Sequence, residues 1–568
     1  MVASAAMPTT IIRLCVIALL LSACLGGESN VESGNRDQIL HFGNYGEPSG
    51  LDPHLVTGVP ESRITGALFE GLVTKNPETL LPEPGVASEW TISDDGRTYL
   101  FTIRSDAKWS NGDPVTAHDF AWSWWRALQP ALGSQYVFMY FAIKNAERFF
   151  TGELSDFNLV GIKALDDHTL KVELANPTPY FLQLLDHQSM FPVHRATIEA
   201  YGKADESDTR WTRPENIVSN GAFKLEDWRL FKVLSVVRND HYWNKDKVTL
   251  NGIRFYPIDK QATEERMFRA GQLHRTEEVP LERIPWYRKE QPQRIRIEPY
   301  IGTYFYRLNT RVAALADQRV RRALALSVDR STLIDTVLNG IYTPAYAVTP
   351  PGLLAYQPPT LLSYNPEEAR SLLAAAGYPN GEGFPEIELQ YNTHDQHRKI
   401  AIAVQQMWKD ELNISIRIQN KDWKVYLNEE VTGNYELSRG SWIGDYVDPN
   451  TFLDMWTTGG GHNKTGFASA EFDELVLQTA PRAKSHEERL EVFYRAEKLL
   501  MEQVPILPIF TYSSKHLVHE SVLGLTSNYM DFVNFRYVSL KPMNTDITEP
   551  ARKVALKSTF NYDTMVNR

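Results

Sequence analysis

The amino-acid sequence predicts an α/β protein with more than one lobe, and three features support this prediction. The chain has 568 residues, which exceeds the length at which a single hydrophobic core keeps growing. Residues 387–418 have the pattern of a strand, a helix and a second strand, which predicts a parallel pair with a right-handed crossover. Residues 90–104 have the pattern of an antiparallel hairpin. Together these patterns indicate mixed sheets covered by helices.

The segment of residues 387–418 also predicts where a ligand would bind. Both of its strands alternate apolar and polar residues, and residues 399–412 have the spacing of an amphipathic helix. The loop of residues 392–397 follows the first strand at its carboxyl end, and ligands of open α/β sheets bind at such ends. The apolar strand positions are Ile387, Leu389, Tyr391, Ile414, Ile416 and Ile418.

Boundary signals place the hairpin turn and two further helices. Asp95 and Gly96 supply the turn of the predicted hairpin. Thr116 begins a helix with a capping-box pattern. A second helix begins after Asn365, with proline and two acidic residues in its first turn, and ends before Gly377.

The composition excludes several classes of protein. The formal net charge is −11, the opposite sign to that of most nucleic-acid-binding proteins, so we expect no nucleic-acid partner. Aromatic residues make up 11% of the chain, which suits amphipathic walls around a ligand. The only two cysteines, Cys15 and Cys24, lie near the N terminus, so the body has neither a disulfide framework nor a cysteine metal site.

The N-terminal residues have the pattern of an export signal. A short apolar run at residues 14–21 leads into the string LSAC at residues 21–24, which resembles a bacterial lipoprotein signal. We therefore expect a signal peptide at residues 1–23, starting at Met1 or Met7, and a lipid on Cys24 that anchors the protein to a membrane of the cell envelope. Residues 24–37 are predicted to form a flexible tether. The alternative is a soluble secretory signal that contains a cysteine by coincidence.

Two short strings match the motifs of serine acyl-transfer enzymes of the penicillin-binding type. Ser105 and Lys108 fit S-x-x-K, and Lys464 begins a K-T-G string. That chemistry needs the serine and the first lysine one turn apart on a helix, whereas Ser105 follows a strand and leads into turn residues. We therefore keep this reading only as a distant alternative.

Two pairs of side chains have alternative interpretations. His394 and His397 begin a predicted helix and could bind a metal ion, but no third ligand is evident, so a surface role or attraction of a ligand carboxylate is preferred. Asp445 and Asp448 could form an acid/base pair. A single turn-forming aspartate beside a single ligand-binding carboxylate is the preferred interpretation, because no nucleophile accompanies them.

Five strings, spread in order along the chain, are shared with one protein family. Together they resemble the family 5 extracellular solute-binding proteins of peptide ABC importers, and the likeness extends from about residue 39 to residue 537. The string at residues 109–120 is the most specific of the five. The strings are LDPH at residues 51–54, FEGL at 69–72, WSNGDPVTAHDF at 109–120, SNGAF at 219–223 and WIGDY at 442–446.

This resemblance implies the large periplasmic-binding-protein fold. Two lobes would close over the ligand about a hinge, and a third lobe would enlarge the cavity. We expect lobe I at residues 38–69, 195–301 and 514–568, lobe II at residues 70–194, and lobe III, which opposes lobe I, at residues 302–513.

Matched position by position, the resemblance also implies a site for an extended peptide. Asp445 would bind the α-ammonium group of the ligand, and Arg439 and His397 would bind its carboxylate. Leu338 stands where the family has a lysine, and Thr57 and Arg307 stand where it has acidic residues. Backbone pairing is expected from Thr57, Gly58 and Val59 and from Ser441, Trp442 and Ile443, and aromatic walls from Tyr136, Phe305, Trp423 and Trp442.

The implied function is capture of short peptides outside the cytoplasm by a monomer that needs neither a cofactor nor a metal ion and catalyses no reaction. Its partners would be the transmembrane subunits of an ABC permease with their cytoplasmic ATPase subunits. The alternative ligands are dipeptides, murein peptides or a nickel complex, and the distant alternative is the serine acyl-transfer enzyme with Ser105, Lys108 and Lys464.

Lipidation of Cys24 predicts the effect of one substitution. Two or three acyl chains, at about 0.8 kcal/mol for each buried methylene group, hold a protein stably on a membrane. Cys24→Ser should therefore move the protein from the membrane fraction to the soluble fraction, as judged by immunoblotting after ultracentrifugation. Cys15→Ser is the matched control and should leave the distribution unchanged. Retention of Cys24→Ser on membranes would contradict the lipoprotein assignment.

Overall fold

A computed structural model describes residues 28–542 of the chain, so the predicted signal peptide and Cys24 lie outside the described residues. The strands are β1 (Ile39–Gly43), β2 (Val73–Lys75), β3 (Pro82–Pro84), β4 (Ala87–Ile92), β5 (Thr98–Ile103), β6 (Ile162–Asp166), β7 (Thr169–Glu173), β8 (Phe223–Arg229), β9 (Val233–Arg238), β10 (Gly252–Tyr256), β11 (Ile295–Leu308), β12 (Thr343–Pro344), β13 (Ile387–Asn392), β14 (Ile416–Lys421), β15 (Leu437–Ile443), β16 (Ile506–Leu517), β17 (Val522–Leu523) and β18 (Ser539–Leu540).

The helices lie between these strands and cover the sheets. They are α1 (Asn30–Asp37), α2 (Val59–Leu68), α3 (Ala117–Ala127), α4 (Ala146–Phe150), α5 (Phe181–Leu184), α6 (Arg195–Tyr201), α7 (Gln261–Arg269), α8 (Ile284–Glu290), α9 (Ala313–Ala316), α10 (Gln318–Leu326), α11 (Arg330–Val337), α12 (Pro366–Ala375), α13 (Asp395–Leu412), α14 (Trp423–Thr432), α15 (Asn450–Leu453), α16 (Ala470–Asp473) and α17 (His486–Gln503).

The largest sheet has six strands and is mixed. Its order is β12-β16-β11-β15-β13-β14, and it contains the predicted strand–helix–strand unit of residues 387–418. β13 and β14 pair in parallel from Ile387 with Ile416 to Asn392 with Lys421, and α13 connects them. Trp408 of α13 is fully buried and donates its indole N–H to the Leu324 carbonyl, which fixes the helix against α10. The prediction of a parallel pair with a helical crossover is confirmed.

Two two-stranded sheets, β2-β3 and β17-β18, and two four-stranded sheets complete the α/β architecture of the described residues. One has the order β1-β10-β9-β8 and is formed from residues 39–43 and 223–256. The other has the order β4-β5-β7-β6, and its strands β4 and β5 form the predicted hairpin, with Gly96 at a positive φ of 66° in the turn. The predicted helix after Thr116 is α3, and the capping box between Thr116 and Asp119 is present. The predicted α/β class with several mixed sheets is confirmed.

Two long strands connect the regions predicted as lobes I and III. β11 and β16 pair antiparallel from Ile295 with Leu517 to Arg307 with Ile506, and each strand crosses a predicted boundary. Their register shifts between Pro299 and Thr303, and again between Tyr304 and Phe305. Such irregularities interrupt the hydrogen-bonded ladder and increase local twist, so the crossing point is a suitable place for a hinge. The lobe boundaries themselves stay a prediction.

The prediction of a flexible tether through residue 37 is wrong for its last part, because Asn30–Asp37 forms α1. Ser29 and Glu32 form a reciprocal capping box, a pattern that is readable in the sequence and satisfies two backbone donors. Val31 is buried, and a Cβ atom at Gly34 would lie 2.5 Å from the Ile39 carbonyl oxygen. Packing against the first strand therefore orders a segment whose composition suggests a coil.

Within residues 28–542, every helix is too short or too polar to cross a bilayer.

A buried carboxyl group on α17 predicts a pH effect on stability. Glu497 is fully buried and accepts hydrogen bonds from the Thr349 amide N–H and the Tyr356 hydroxyl, each at 2.7 Å. Burial raises the pKa of Glu497 to about 7 from 4.5. Because the folded protein retains a proton that the unfolded chain releases above pH 4.5, this group destabilises the fold increasingly as the pH rises to 7.

The difference in the free energy of unfolding between Glu497→Gln and the unsubstituted protein should therefore shift in favour of the variant by about 2–3 kcal/mol when the pH is raised from 5 to 7.5. Urea denaturation at the two pH values measures this change. Glu502→Gln on the same helix, where the side chain is 45% exposed, is the control and should show no such pH dependence. An equal effect of Glu497→Gln at both pH values would contradict the assignment.

Candidate functional site

A cavity of about 320 Å³ lies between segments from all three predicted lobes. The start of α2 lines one side, residues 135–136 and 186–188 line a second, and β15 with the loop after it lines a third. Ten of the twelve predicted ligand-binding residues line this cavity, while Phe305 and His397 do not. The ten are Thr57, Gly58, Val59, Tyr136, Trp423, Arg439, Ser441, Trp442, Ile443 and Asp445.

Phe305 is not a wall of the cavity but lies beneath one. Its side chain is fully buried and contacts Trp456, with the ring centroids 5.6 Å apart. The guanidinium carbon of Arg307 lies 5.2 Å from the centroid of the Phe305 ring. Because Arg307 lines the cavity, the aromatic ring supports the cation rather than reaching the ligand space.

His397 is also outside the cavity and is not a cation. Its ring lies 5.5 Å from the ring of Tyr304 and 4.4 Å from that of His394. Burial, together with the nearby Arg439 and His394, holds the pKa of His397 well below its usual range. The imidazole is therefore neutral and enclosed, so the expectation that it binds a carboxylate is not supported by its position.

Asp445 follows the carboxyl end of β15 and has an incompletely paired side chain. Its Oδ1 lies 3.5 Å from both the Tyr136 hydroxyl and Nε2 of His187, while Oδ2 is buried and has no hydrogen-bond partner among the described residues. The side chain is 13% exposed. Since a buried ionised oxygen without a partner costs free energy, this geometry favours a cationic or hydrogen-donating ligand group at Oδ2.

Of the two aspartates Asp445 and Asp448, it is Asp448 that has the structural role. Its carboxylate forms a bidentate ion pair with Arg489 at 2.7 and 2.8 Å, and its Oδ1 accepts the backbone N–H of Asn450. Asp448 is therefore fully engaged in holding α17 and the start of α15. Asp445 alone of the two lines the cavity.

The strand β15 presents a free backbone edge to the cavity. On one side it pairs with β11 along its whole length, from Leu437 to Ile443. On the other side β13 pairs with it only at Leu437 and Ser438, so the remaining edge has no strand neighbour among the described residues. An extended chain could add to this edge by backbone hydrogen bonds.

Arg439 is a cavity cation without an acidic partner within the described part of the chain. Its Nη2 donates to the Tyr512 hydroxyl at 2.7 Å, and its guanidinium carbon lies 5.0 Å from the centroid of the Tyr304 ring. Its Nε is buried and unpartnered. Leu338, by contrast, is fully buried and does not line the cavity, so no cation is supplied from that position.

The cavity residues that the sequence interpretation did not assign to the ligand site include His187, His462 and Lys464, the last of which it had placed only in the acyl-transfer alternative. Lys464 donates to the side-chain carbonyl of Gln135 at 2.6 Å, which connects the predicted lobes II and III. A Cβ atom at Gly461 would lie 2.5 Å from the backbone oxygen of Gln135. Gly461 is therefore needed for the close approach of two backbones, and the glycine-rich string before Lys464 is the signal that could have indicated a contact here.

The acyl-transfer alternative is not supported by the geometry. Ser105 and Lys108 lie on an exposed turn after β5 and not on one helical turn. Neither side chain lines the cavity, whereas Lys464 does. The three residues therefore do not form one site.

Metal binding is also not favoured by the arrangement of ligand atoms. Among the described residues, Glu277, His516 and Asp531 bring potential ligand atoms within 4.8 Å of one another. Two guanidinium groups already occupy this position, since Arg63 and Arg275 lie 3.0 and 2.9 Å from Asp531. Elsewhere, His394 contacts Glu278 at 2.9 Å rather than forming an open site with its histidine neighbour.

Comparisons with known proteins match this chain along most of its length. The family model of bacterial extracellular solute-binding proteins, family 5 (middle), matches residues 82–464. The periplasmic oligopeptide-binding protein OppA of Salmonella typhimurium is 35% identical over 523 residues, which cover 90% of this chain and 94% of that protein. The structure of Haemophilus influenzae OppA in complex with RPPGFSPFR superposes with a TM-score of 0.84 at 33% identity, covering 89% of this chain and 99% of the other.

Two structures of another protein superpose on this chain with different TM-scores. The murein tripeptide-binding protein MppA of Escherichia coli superposes with a TM-score of 0.84 at 36% identity, covering 88% of this chain and 98% of the other. The unliganded open form of MppA gives a TM-score of only 0.60 at the same identity, covering 89% of this chain and 97% of the other. The overall arrangement of this chain therefore differs more from that open form than from the first MppA structure.

Proposed function

Because this chain belongs to the bacterial extracellular solute-binding proteins of family 5, we propose that it captures short peptides in an extended conformation and delivers them to an ABC importer. The observation that carries this proposal is the unpartnered carboxylate oxygen of Asp445 in a cavity enclosed by three groups of segments. A peptide α-ammonium group carries the positive charge and the N–H donors that would satisfy this oxygen.

The free edge of β15 supports recognition of the peptide backbone. A receptor for many peptide sequences should direct its hydrogen bonds to the main chain, and strand addition does this. The edge beyond Ser438 has no strand neighbour among residues 28–542, and it ends two residues before Asp445. An extended peptide lying along it would present its amino end to that carboxylate.

The proposal extends to partners and location. The relatives named above are periplasmic binding proteins, and the Haemophilus influenzae protein was solved with a peptide. We infer that this protein acts as a monomer held to the cell envelope by a lipid on Cys24, that it docks on the transmembrane subunits of a permease with cytoplasmic ATPase subunits, and that it catalyses no reaction. A binding role is supported because Asp448, the second member of the acid/base pair considered from the sequence, is ion-paired to Arg489 and lies outside the cavity.

The role of Asp445 predicts a specific pattern of affinities. Asp445→Asn and N-acetylation of a tripeptide should each weaken binding by about 3–5 kcal/mol, because each removes one partner of a buried ion pair. Combining the two changes should add little to either alone. Isothermal titration calorimetry of the four combinations measures this coupling.

Asp240→Asn, at a carboxylate that is 79% exposed, is the matched control and should not alter the response to acetylation. Additive losses, or normal binding of free peptides by Asp445→Asn, would contradict the assignment of the ammonium site. Thermal denaturation of each variant checks that the fold is retained.

Arg439 predicts a dependence on peptide length. Peptides whose C-terminal carboxylate reaches Arg439 should bind about tenfold or more tightly than peptides one residue longer, since a hydrogen bond to a charged group contributes roughly 1.5–3 kcal/mol. C-terminal amidation should remove this advantage, and so should Arg439→Met. Calorimetry of a di- to pentapeptide series tests the effect, and equal affinities for all lengths would rule it out.

A further inference from the structure

The two faces of β15 carry different groups of side chains. Gly440 and Trp442 lie on the face shared with Phe305 and Thr303, because these residues are directly paired across the β11 and β15 ladder. Arg439 lies on the opposite face. An extended chain on the free edge would therefore point successive side chains to alternate faces.

The face with Gly440 has a cationic pocket formed by Arg307, His462 and Lys464, all of which line the cavity. Arg307 extends across Gly440, where a Cβ atom would lie only 2.5 Å from its Nη1. The glycine therefore provides the space that the guanidinium group occupies. His462 lies beside Trp442, with the ring centroids 4.7 Å apart.

The donors of this pocket exceed its acceptors. Arg307 donates one hydrogen bond, from Nη1 to Glu430 at 2.8 Å, while its Nε is buried without a partner. Lys464 donates to the neutral side chain of Gln135 and has no acidic residue within ion-pair distance among the described residues. Nε2 of His462 is also buried and unpartnered. Two cations therefore face one carboxylate, and a further negative charge would complete the pocket.

The lowered pKa values of Lys464 and His462 are consistent with a pocket that has too little negative charge. Burial and the nearby Arg307 lower the pKa of Lys464 to about 8 from 10.5, against an opposing effect of Glu430. Burial and the same two cations hold the pKa of His462 well below its usual range, so its imidazole is neutral. The backbone oxygen of Lys464 accepts hydrogen bonds from Arg311 and Tyr435, which holds the backbone of this residue in place, and its side chain lines the cavity.

We propose that this cationic pocket binds a carboxylate of the peptide, and that the protein consequently prefers peptides with an acidic side chain near the amino end. The inference rests on the proposed peptide-binding function. Tyr136 places the pocket near that end, because its hydroxyl lies 3.5 Å from Asp445 while its ring centroid lies 4.7 Å from that of His462. The carboxylate has two possible sources, a Glu or Asp side chain or the C terminus of a very short peptide.

A glutamate scan of a tripeptide distinguishes these sources. Glu is placed at position 1, 2 or 3 of trialanine and compared with Gln at the same position, and dialanine is compared with its C-terminal amide. We expect Glu to bind at least about tenfold more tightly than Gln at one position and not at its immediate neighbours, because adjacent side chains point to opposite faces. A flat scan with a similar loss on amidation of dialanine would assign the pocket to the C terminus instead.

Three variants connect the preference to the pocket. Lys464→Met should remove most of the Glu-over-Gln preference, measured as the ratio of the two affinities within the variant, so that any general change in affinity cancels. Glu430→Gln should increase the preference, because it removes the competing carboxylate but keeps an acceptor for Arg307. Lys163→Met, at an exposed position on β6, is the matched control. Since Glu430→Gln changes the preference in the opposite direction, loss of folding cannot mimic the pattern.

Proton uptake gives an independent measurement. At pH 8.5 Lys464 is partly deprotonated, and a bound carboxylate raises its pKa, so the Glu peptide should take up a fraction of a proton on binding. Calorimetry in two buffers of different ionisation enthalpy measures the uptake. Because the α-amino group of every free peptide also takes up protons at this pH, the quantity of interest is the excess uptake of the Glu peptide over the Gln peptide, which should vanish in Lys464→Met. If trialanine does not bind, the proposed function fails. If it binds but neither Glu nor a free C terminus improves affinity over its neutral counterpart, this inference alone is overturned.

Discussion

The antiparallel pairing of β11 with β16 is the interaction on which the rest of the structure depends. These strands lie side by side in the six-stranded sheet and cross between the regions predicted as lobes I and III. Because β15 pairs with β11, the position of the ligand-facing edge follows from the same ladder. The register shifts near Thr303 lie where the ladder meets the cavity, so any bending of the strand pair there would move one wall relative to the other.

Acidic side chains of the cavity wall differ in whether they form an ion pair within the protein. Those that do stabilise the wall, and one that does not is available to a ligand. Most acidic side chains on the cavity wall have a cationic neighbour, as Asp186 has Lys75 at 3.1 Å and Asp531 has Arg275 at 2.9 Å. Asp445 has contacts only at 3.5 Å and a buried oxygen without any. Its lack of a close cationic partner therefore distinguishes Asp445 from these two acidic side chains of the cavity wall.

The sequence allowed the fold class and much of the site to be predicted, for identifiable physical reasons. The strand–helix–strand unit at residues 387–418 was predictable because its periodicity changes clearly from two to about 3.6 residues. The position of Asp445 beside the ligand space was implied by the family resemblance, and it agrees with the general placement of ligands at the carboxyl ends of strands. Phe305 and His397 failed because burial under Arg307 and behind Tyr304 depends on tertiary packing, which periodicity does not report. The pocket around Lys464 was missed because residues distant in sequence form it.

The free edge of β15 has a consequence for the behaviour of the protein in solution. An unpaired strand edge is a template for pairing with another polypeptide, and exposed edges favour aggregation and domain swapping. Here the segments around Thr57 and Tyr136 enclose the edge. If the lobes separate, the same backbone groups become accessible to any extended chain, including an unfolded segment of a second copy. Cargo that occupies the edge would thus also protect the protein from association with itself.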